Sequence, residues 1–102
     1  YEVVRENKRR GLHTLLFLDI EMRIRDALEL LLEIERKRGE GVIHGIAVGL
    51  SKIGSENPVL KANWVESLRS YDFGETPHIL IFPGDLHFME RESLIKLAGA
   101  PL

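Results

Sequence analysis

The chain has no cysteine. That excludes disulfides, thiolate nucleophiles and cysteine-based zinc or iron–sulfur centres, and it fits a reducing compartment. It also lacks charge of one dominant sign, with 14 Lys and Arg against 16 Asp and Glu and a formal charge of -2. Such a balance supplies no global field to gather nucleic acid or an anionic membrane surface, so neither is expected as a partner. Long apolar runs are missing too. Leu15–Leu18 and Ile79–Pro83 fall far short of the roughly 20 residues of a membrane span, no signal-peptide pattern opens the chain, and a soluble intracellular protein is expected. There is no Asn-x-Ser/Thr sequon, no internal repeat and no linker.

What is present is enough for one compact α/β domain: 102 residues, of which 44% are hydrophobic. Because the chain opens at Tyr1 inside a helical pattern, with no Met and no preceding cap, it reads as part of a longer protein. Residues Tyr1–Arg10 read as a surface helix ended at Gly11 beside cationic side chains. His13–Ile20 is nearly continuously apolar, as in a strand covered on both faces. Ile24, Ala27, Leu28, Leu31 and Ile34 recur at helical spacing, with Gly39 and Gly41 as the stop. Val42–Leu50 is a strand in which Gly45 and Gly49 signal close approach by another backbone or a ligand. A turn-rich loop, Ser51–Pro58, leads to Val59–Leu68, a strand or strand pair whose end near Val65–Arg69 could be helical. His78–Pro83 is a buried strand closed by Gly84, and Asp85 is placed to cap a helix through Leu97. This alternation predicts an α/β fold with a mixed, mostly parallel sheet flanked by helices.

Few residues point to chemistry by themselves. His13, His44, His78 and His87 show no metal-ligand spacing, and structural or solvated roles are expected for them, Asp85-x-His87 included. Asp19 ends a strand, where α/β sheets place ligands, but an Asp that turns the chain out of the sheet reads equally well. Arg5, Lys8, Arg9 and Arg10 read as a solvated helix end. Neither a nucleophile elbow nor a phosphate loop occurs.

Three stretches together carry a resemblance: GLHTLLFLDI at Gly11–Ile20, GSENP at Gly54–Pro58 and PHILIFPGDLHFMERESLIKLAGAP at Pro77–Pro101. With ALELLLEIE at Ala27–Glu35 between them, in order, the chain resembles the C-terminal half of archaeal-type diphthine synthases. The resemblance implies the C-terminal domain of a tetrapyrrole-methylase-like methyltransferase, with S-adenosylmethionine as cofactor in a cleft between two domains. It implies methylation of the modified histidine of translation elongation factor 2 in diphthamide biosynthesis, a homodimer and a cytoplasmic location. Carried over residue by residue, the cofactor contacts of this half fall on Leu18, Ile53 and His78. The family commonly has a small residue at Ile53, so a contact there is expected from main chain, or with the side chain turned away.

No catalytic acid or base is expected in this half, since in-line methyl transfer from a sulfonium is served by positioning and exclusion of water. The family's N-terminal domain, with its Gly-rich cofactor loop, has no counterpart here. The chain is also shorter than the family between Ile20 and Arg25 and around Val42–Ile46. Two rival readings are a non-enzymatic ligand-binding or dimerisation module of the same fold, and a methylase of corrin or porphyrin precursors. The LHxxE run Leu86–Glu90 favours the diphthine branch over the latter.

Overall fold

The computed structural model describes all 102 residues. In chain order the elements are α1 (Glu2–Arg9), β1 (Thr14–Phe17), α2 (Ile24–Arg38), β2 (Ile46–Ser51), β3 (Val59–Trp64), α3 (Val65–Leu68), β4 (His78–Phe82) and α4 (Phe88–Ala98). The four strands form one sheet in the order β1-β4-β2-β3.

Every neighbouring pair in that sheet is antiparallel, which overturns the mostly parallel sheet expected from the sequence. The physical reason lies in where β4 inserts. The β1-α2-β2 crossover does bring two strands back in the same direction, as the alternation suggested. But β4 pairs with both, Leu16 opposite Leu80 on one side and Leu80 opposite Gly49 on the other, and runs against each. The loop at 52–58 then returns β3 antiparallel to β2.

Core chemistry follows from this order. On one face, Val4 of α1, Ile24, Ala27, Leu28 and Leu31 of α2 and Leu68 of α3 pack with Leu80 and Phe82 into the main core. On the other, α4 and the residues that follow it seal a smaller cluster, with Ala98 and Ala100 against Val48 and Ala62. Central β4 is apolar on both faces because both are partly covered. Edge strand β1 is not: Leu15 and Phe17 are 53% and 75% exposed, so the expectation of a strand covered on both sides fails there. Gly49 does mark a close approach, but by side chains rather than backbone or ligand. A Cβ there would come within 2.3 Å of Phe73 and 2.7 Å of Ile24.

Several boundaries differ from expectation. Val42 and Ile43 are buried yet lie outside β2. Their amides are held by a single side chain, Glu35, whose Oε1 accepts from Val42 N–H at 2.5 Å and Ile43 N–H at 2.7 Å, while Oε2 accepts from Gly41 N–H at 2.9 Å. The Tyr1 hydroxyl donates to the same carboxylate at 3.1 Å, which ties the start of α1 to the end of α2. Gly39, at φ 64°, caps α2 in the left-handed conformation and starts this wrap. The α4 cap is His87, not Asp85, in a reciprocal capping box with Glu90. The basic cluster of α1 is largely spent internally: Arg5 pairs with Glu2 and Glu40, and Lys8 donates to the Val42 carbonyl at 2.7 Å.

Burial acts to raise the Glu35 pKa, but the amides of Ile43, Gly41 and Val42 and the Tyr1 hydroxyl outweigh it and hold the carboxyl below its usual value. A depressed folded-state pKa means that this stabilisation is complete above the unfolded value near 4.5 and is lost as pH falls through the folded one. Glu35→Gln is expected to cost about 2 kcal/mol at pH 7, since a neutral amide accepts three amide bonds less well and offers one acceptor oxygen instead of two. The difference from the parent should shrink below pH 4.5, as followed by urea melts at pH 7 and at acid pH.

Candidate functional site

β1 and β2 end, and β4 begins, at the same end of the sheet, and the three residues singled out by family resemblance lie there. Leu18 follows β1 directly, and its N–H donates to the His78 carbonyl at 3.2 Å. Ser51, the last residue of β2, pairs across the ladder with His78. Ile53 lies two residues further on, after Lys52 turns the chain at φ 56°. So main chains of Leu18 and His78 touch, and Ile53 opens the 52–58 loop two residues beyond the Ser51 that pairs with His78.

Side chains at this end are used very differently. The His78 ring is 2% exposed and fully engaged. Its Nδ1 accepts from Ile24 N–H at 3.1 Å, and its Nε2–H donates to the Gly74 carbonyl at 3.0 Å, so one neutral tautomer satisfies both contacts. The imidazole therefore anchors the start of α2 and the 70–77 loop, and leaves only the main chain of His78 for a ligand. Leu18 is half-buried against the main core. Ile53 is 59% exposed. Neither the Leu18 carbonyl nor the Ile53 N–H and C=O finds a backbone partner.

Residues not singled out from sequence build the floor of this site. The buried Ser51 hydroxyl donates to the Phe73 carbonyl at 2.6 Å, and Arg23 Nη1 donates to Gly74 O at 2.8 Å. These bonds fix the 70–77 loop against the strand ends. The readable signal for Ser51 was its position just before the GSENP loop. Beside His78 opens a cavity of about 240 Å³ whose rim carries Arg23, Arg25, Arg69 and Asp72. Asp19 is exposed, and its carbonyl accepts from Met22 N–H at 2.8 Å, the chain-turning role.

Other histidines serve elsewhere. At the opposite end of the sheet His13 Nδ1 accepts from Gly84 N–H at 2.8 Å and its Nε2 donates to Glu90 at 2.9 Å. That bond first, with the His87 N–H, holds the Glu90 carboxyl below its usual range. His13 thus joins the entry to β1, the exit of β4 and the first turn of α4. No helix is long and apolar enough to cross a membrane.

Comparison with known proteins follows the same lines. No protein-family model matches the chain. The diphthine synthase of Methanosarcina barkeri is 51% identical over 108 aligned residues, which take in 100% of this chain and 41% of that protein. That of Methanosarcina acetivorans is 50% identical over 107, covering 99% of this chain and 40% of the relative. The M. barkeri alignment leaves at least six positions with no residue here, in keeping with a chain shorter than the family pattern. Among solved structures, one of a diphthine synthase matches with a TM-score of 0.85 at 36% identity, over 98% of this chain and 40% of that one. Another, assigned as a diphthine synthase of Entamoeba histolytica, matches with a TM-score of 0.89 at 27% identity, over 96% of this chain and 43% of its own. The chain spans about two-fifths of the length of the curated relatives it matches. Along its whole length, then, the chain is a homologue of the C-terminal part of the diphthine synthases.

Proposed function

We propose that this chain forms one wall of the S-adenosylmethionine cleft of a diphthine synthase, and that the wall is the sheet end carrying Leu18, Ile53 and His78. The observation that carries the reading is the set of free main-chain groups at Leu18 and Ile53 beside a His78 whose ring is already satisfied. Groups of that kind suit a cofactor that needs hydrogen bonds but no side-chain acid or base. When bound, the cofactor supplies a methyl group on a sulfonium, open to in-line displacement. The chain's own part is to hold it in place: Ser51, Arg23 and His78 fix the loop behind it, and Leu18 and Ile53 offer an apolar edge with polar main chain. Positioning and exclusion of water are contributions of the right kind for such a transfer.

The opposite wall of the cleft belongs to a second, Gly-rich domain, as the family resemblance implies. The methyl acceptor is the modified histidine of elongation factor 2, in the cytoplasm, and the working protein is a homodimer. Ile53→Glu tests the assignment, because an exposed residue can be changed without disturbing the core. In a full-length protein carrying this segment, it should weaken S-adenosylmethionine binding about tenfold, or ~1.4 kcal/mol, by placing a carboxylate at the edge of the pocket. Calorimetric titration reads this directly, and an unchanged affinity would mean that this end of the sheet does not line the cleft.

A further inference from the structure

We infer that Ser55 is a positioning residue for the cofactor: it holds the Lys52–Ile53 peptide so that the Ile53 N–H points out of the 52–55 turn as a hydrogen-bond donor to S-adenosylmethionine. This rests on the cleft reading above and adds to it the atom that makes the contact at Ile53 and the side chain that aims it. Two donors of Ser55 converge on one acceptor. Its N–H reaches the Lys52 carbonyl at 3.1 Å, and its hydroxyl reaches the same oxygen at 2.7 Å. A carbonyl oxygen has two lone pairs, and here both are used. Gly54, at φ 89°, takes the third position of the turn that these bonds close, where a type II turn needs a residue of positive φ.

Lys52 is the one non-glycine residue of the chain with a positive φ, 56°. A residue with a side chain keeps that conformation only where its surroundings enforce it. Both neighbours do so. Ser51 is fixed by its pairing with His78 and its bond to the Phe73 carbonyl, and Ser55 holds the Lys52 carbonyl from the other side. The peptide between Lys52 and Ile53 is trans, since the one cis bond is Thr76–Pro77. In a trans peptide the N–H and C=O point in opposite directions. With the carbonyl turned into the turn, the Ile53 N–H is turned out of it, and that N–H has no backbone partner. It belongs to the same peptide group as an oxygen that accepts two bonds, which polarises the group and strengthens the N–H as a donor. A donor fixed in advance also binds without the cost of ordering its loop. The cofactor offers ring nitrogens, ribose oxygens and a carboxylate as acceptors.

The test is calorimetric titration of S-adenosylmethionine into a full-length protein carrying this segment. Ser55→Ala should weaken binding about fivefold, because one of the two bonds that fix the peptide is lost. Ser55→Thr keeps the hydroxyl and should return the affinity to within about twofold of the parent. Melting temperatures without cofactor should agree among the three, because residue 55 is exposed. Amide hydrogen exchange identifies the atom: the Ile53 N–H should exchange about tenfold more slowly when cofactor saturates the parent. An Ile53 amide that exchanges equally fast with and without bound cofactor would overturn the N–H contact. Full affinity in Ser55→Ala, or a Thr variant no better than the Ala variant, would overturn the role of Ser55. If Ile53→Glu weakens binding while Ser55→Ala does not, only the positioning role falls. If neither change alters the affinity, the cleft reading falls with it.

Discussion

Gly84→Ala should lower stability by about 3 kcal/mol and Tm by roughly 15 °C, although it adds a single methyl group to a surface turn. The methyl has nowhere to go. A Cβ at residue 84 would stand 2.4 Å from the Leu12 carbonyl oxygen and 2.6 Å from that of Gly11, and both obstacles are backbone. No rotamer change relieves such contacts, so the Pro83–Asp85 turn must move away from the 11–13 segment. Two hydrogen bonds go with it: Gly84 N–H to His13 at 2.8 Å and Asp85 N–H to the Gly11 carbonyl at 3.1 Å. Each is worth about 1 kcal/mol. His13 also orients Glu90, so loosening should spread into the first turn of α4. Thermal melts followed by circular dichroism measure the loss. A fall of under about 3 °C would show that the turn has slack which these distances deny.

How far the sequence could be read depended on the range of the interaction that decided each feature. α2 was legible in full, because helical spacing of Ile24, Ala27, Leu28 and Leu31 and a glycine stop are local signals. β4 was legible for the same reason, with an apolar run bounded by Pro77 and Gly84. Direction of pairing was not. It depends on β4 entering between β1 and β2, a contact some 65 residues from β1 in sequence that no local pattern encodes. The bareness of Leu15 and Phe17 follows from the same event, since β1 becomes an edge. The α4 cap was not legible at Asp85, which is the better capping residue taken alone, because the His87-x-x-Glu90 box starts the helix two residues later. The 42–43 segment has strand-like composition, but Glu35 collects its amides before a strand can.

The candidate site divides in the same way. Nothing in composition or periodicity singles out Leu18, Ile53 or His78, and it was family resemblance that named them. The fold adds that all three lie at one sheet end, and that the histidine, the residue most readily taken for a chemical group, is occupied on both nitrogens. Of the residues that hold the site together, Ser51 has only its place ahead of the GSENP loop as a signal and Arg23 and Gly74 have none, because the Ser51 and Arg23 contacts are to main-chain carbonyls of the 70–77 loop.

Replacing His78 separates its structural work from its part in the cleft. His78→Ala should cost about 3 kcal/mol: it opens a cavity in a site 2% exposed and leaves the Ile24 N–H without its acceptor. The amide of Ile24 is in the first turn of α2, where no intrahelical partner exists, so the loss falls on the helix that covers the main core. His78→Asn should cost only about 1.5 kcal/mol, because the Asn side-chain oxygen reaches nearly the position of Nδ1 and still accepts from Ile24, while the bond to Gly74 is given up. Chemical denaturation of the two variants checks that order. The functional arm concerns the Asn variant in a full-length protein. If His78 meets S-adenosylmethionine through its main chain alone, a folded His78→Asn protein keeps its cofactor affinity within about threefold, a difference of ~0.7 kcal/mol. A loss of a hundredfold in a protein that still melts cooperatively would mean that the ring leaves Ile24 and Gly74 to reach the cofactor. The main-chain wall argued from Leu18 and Ile53 would then be wrong at its centre.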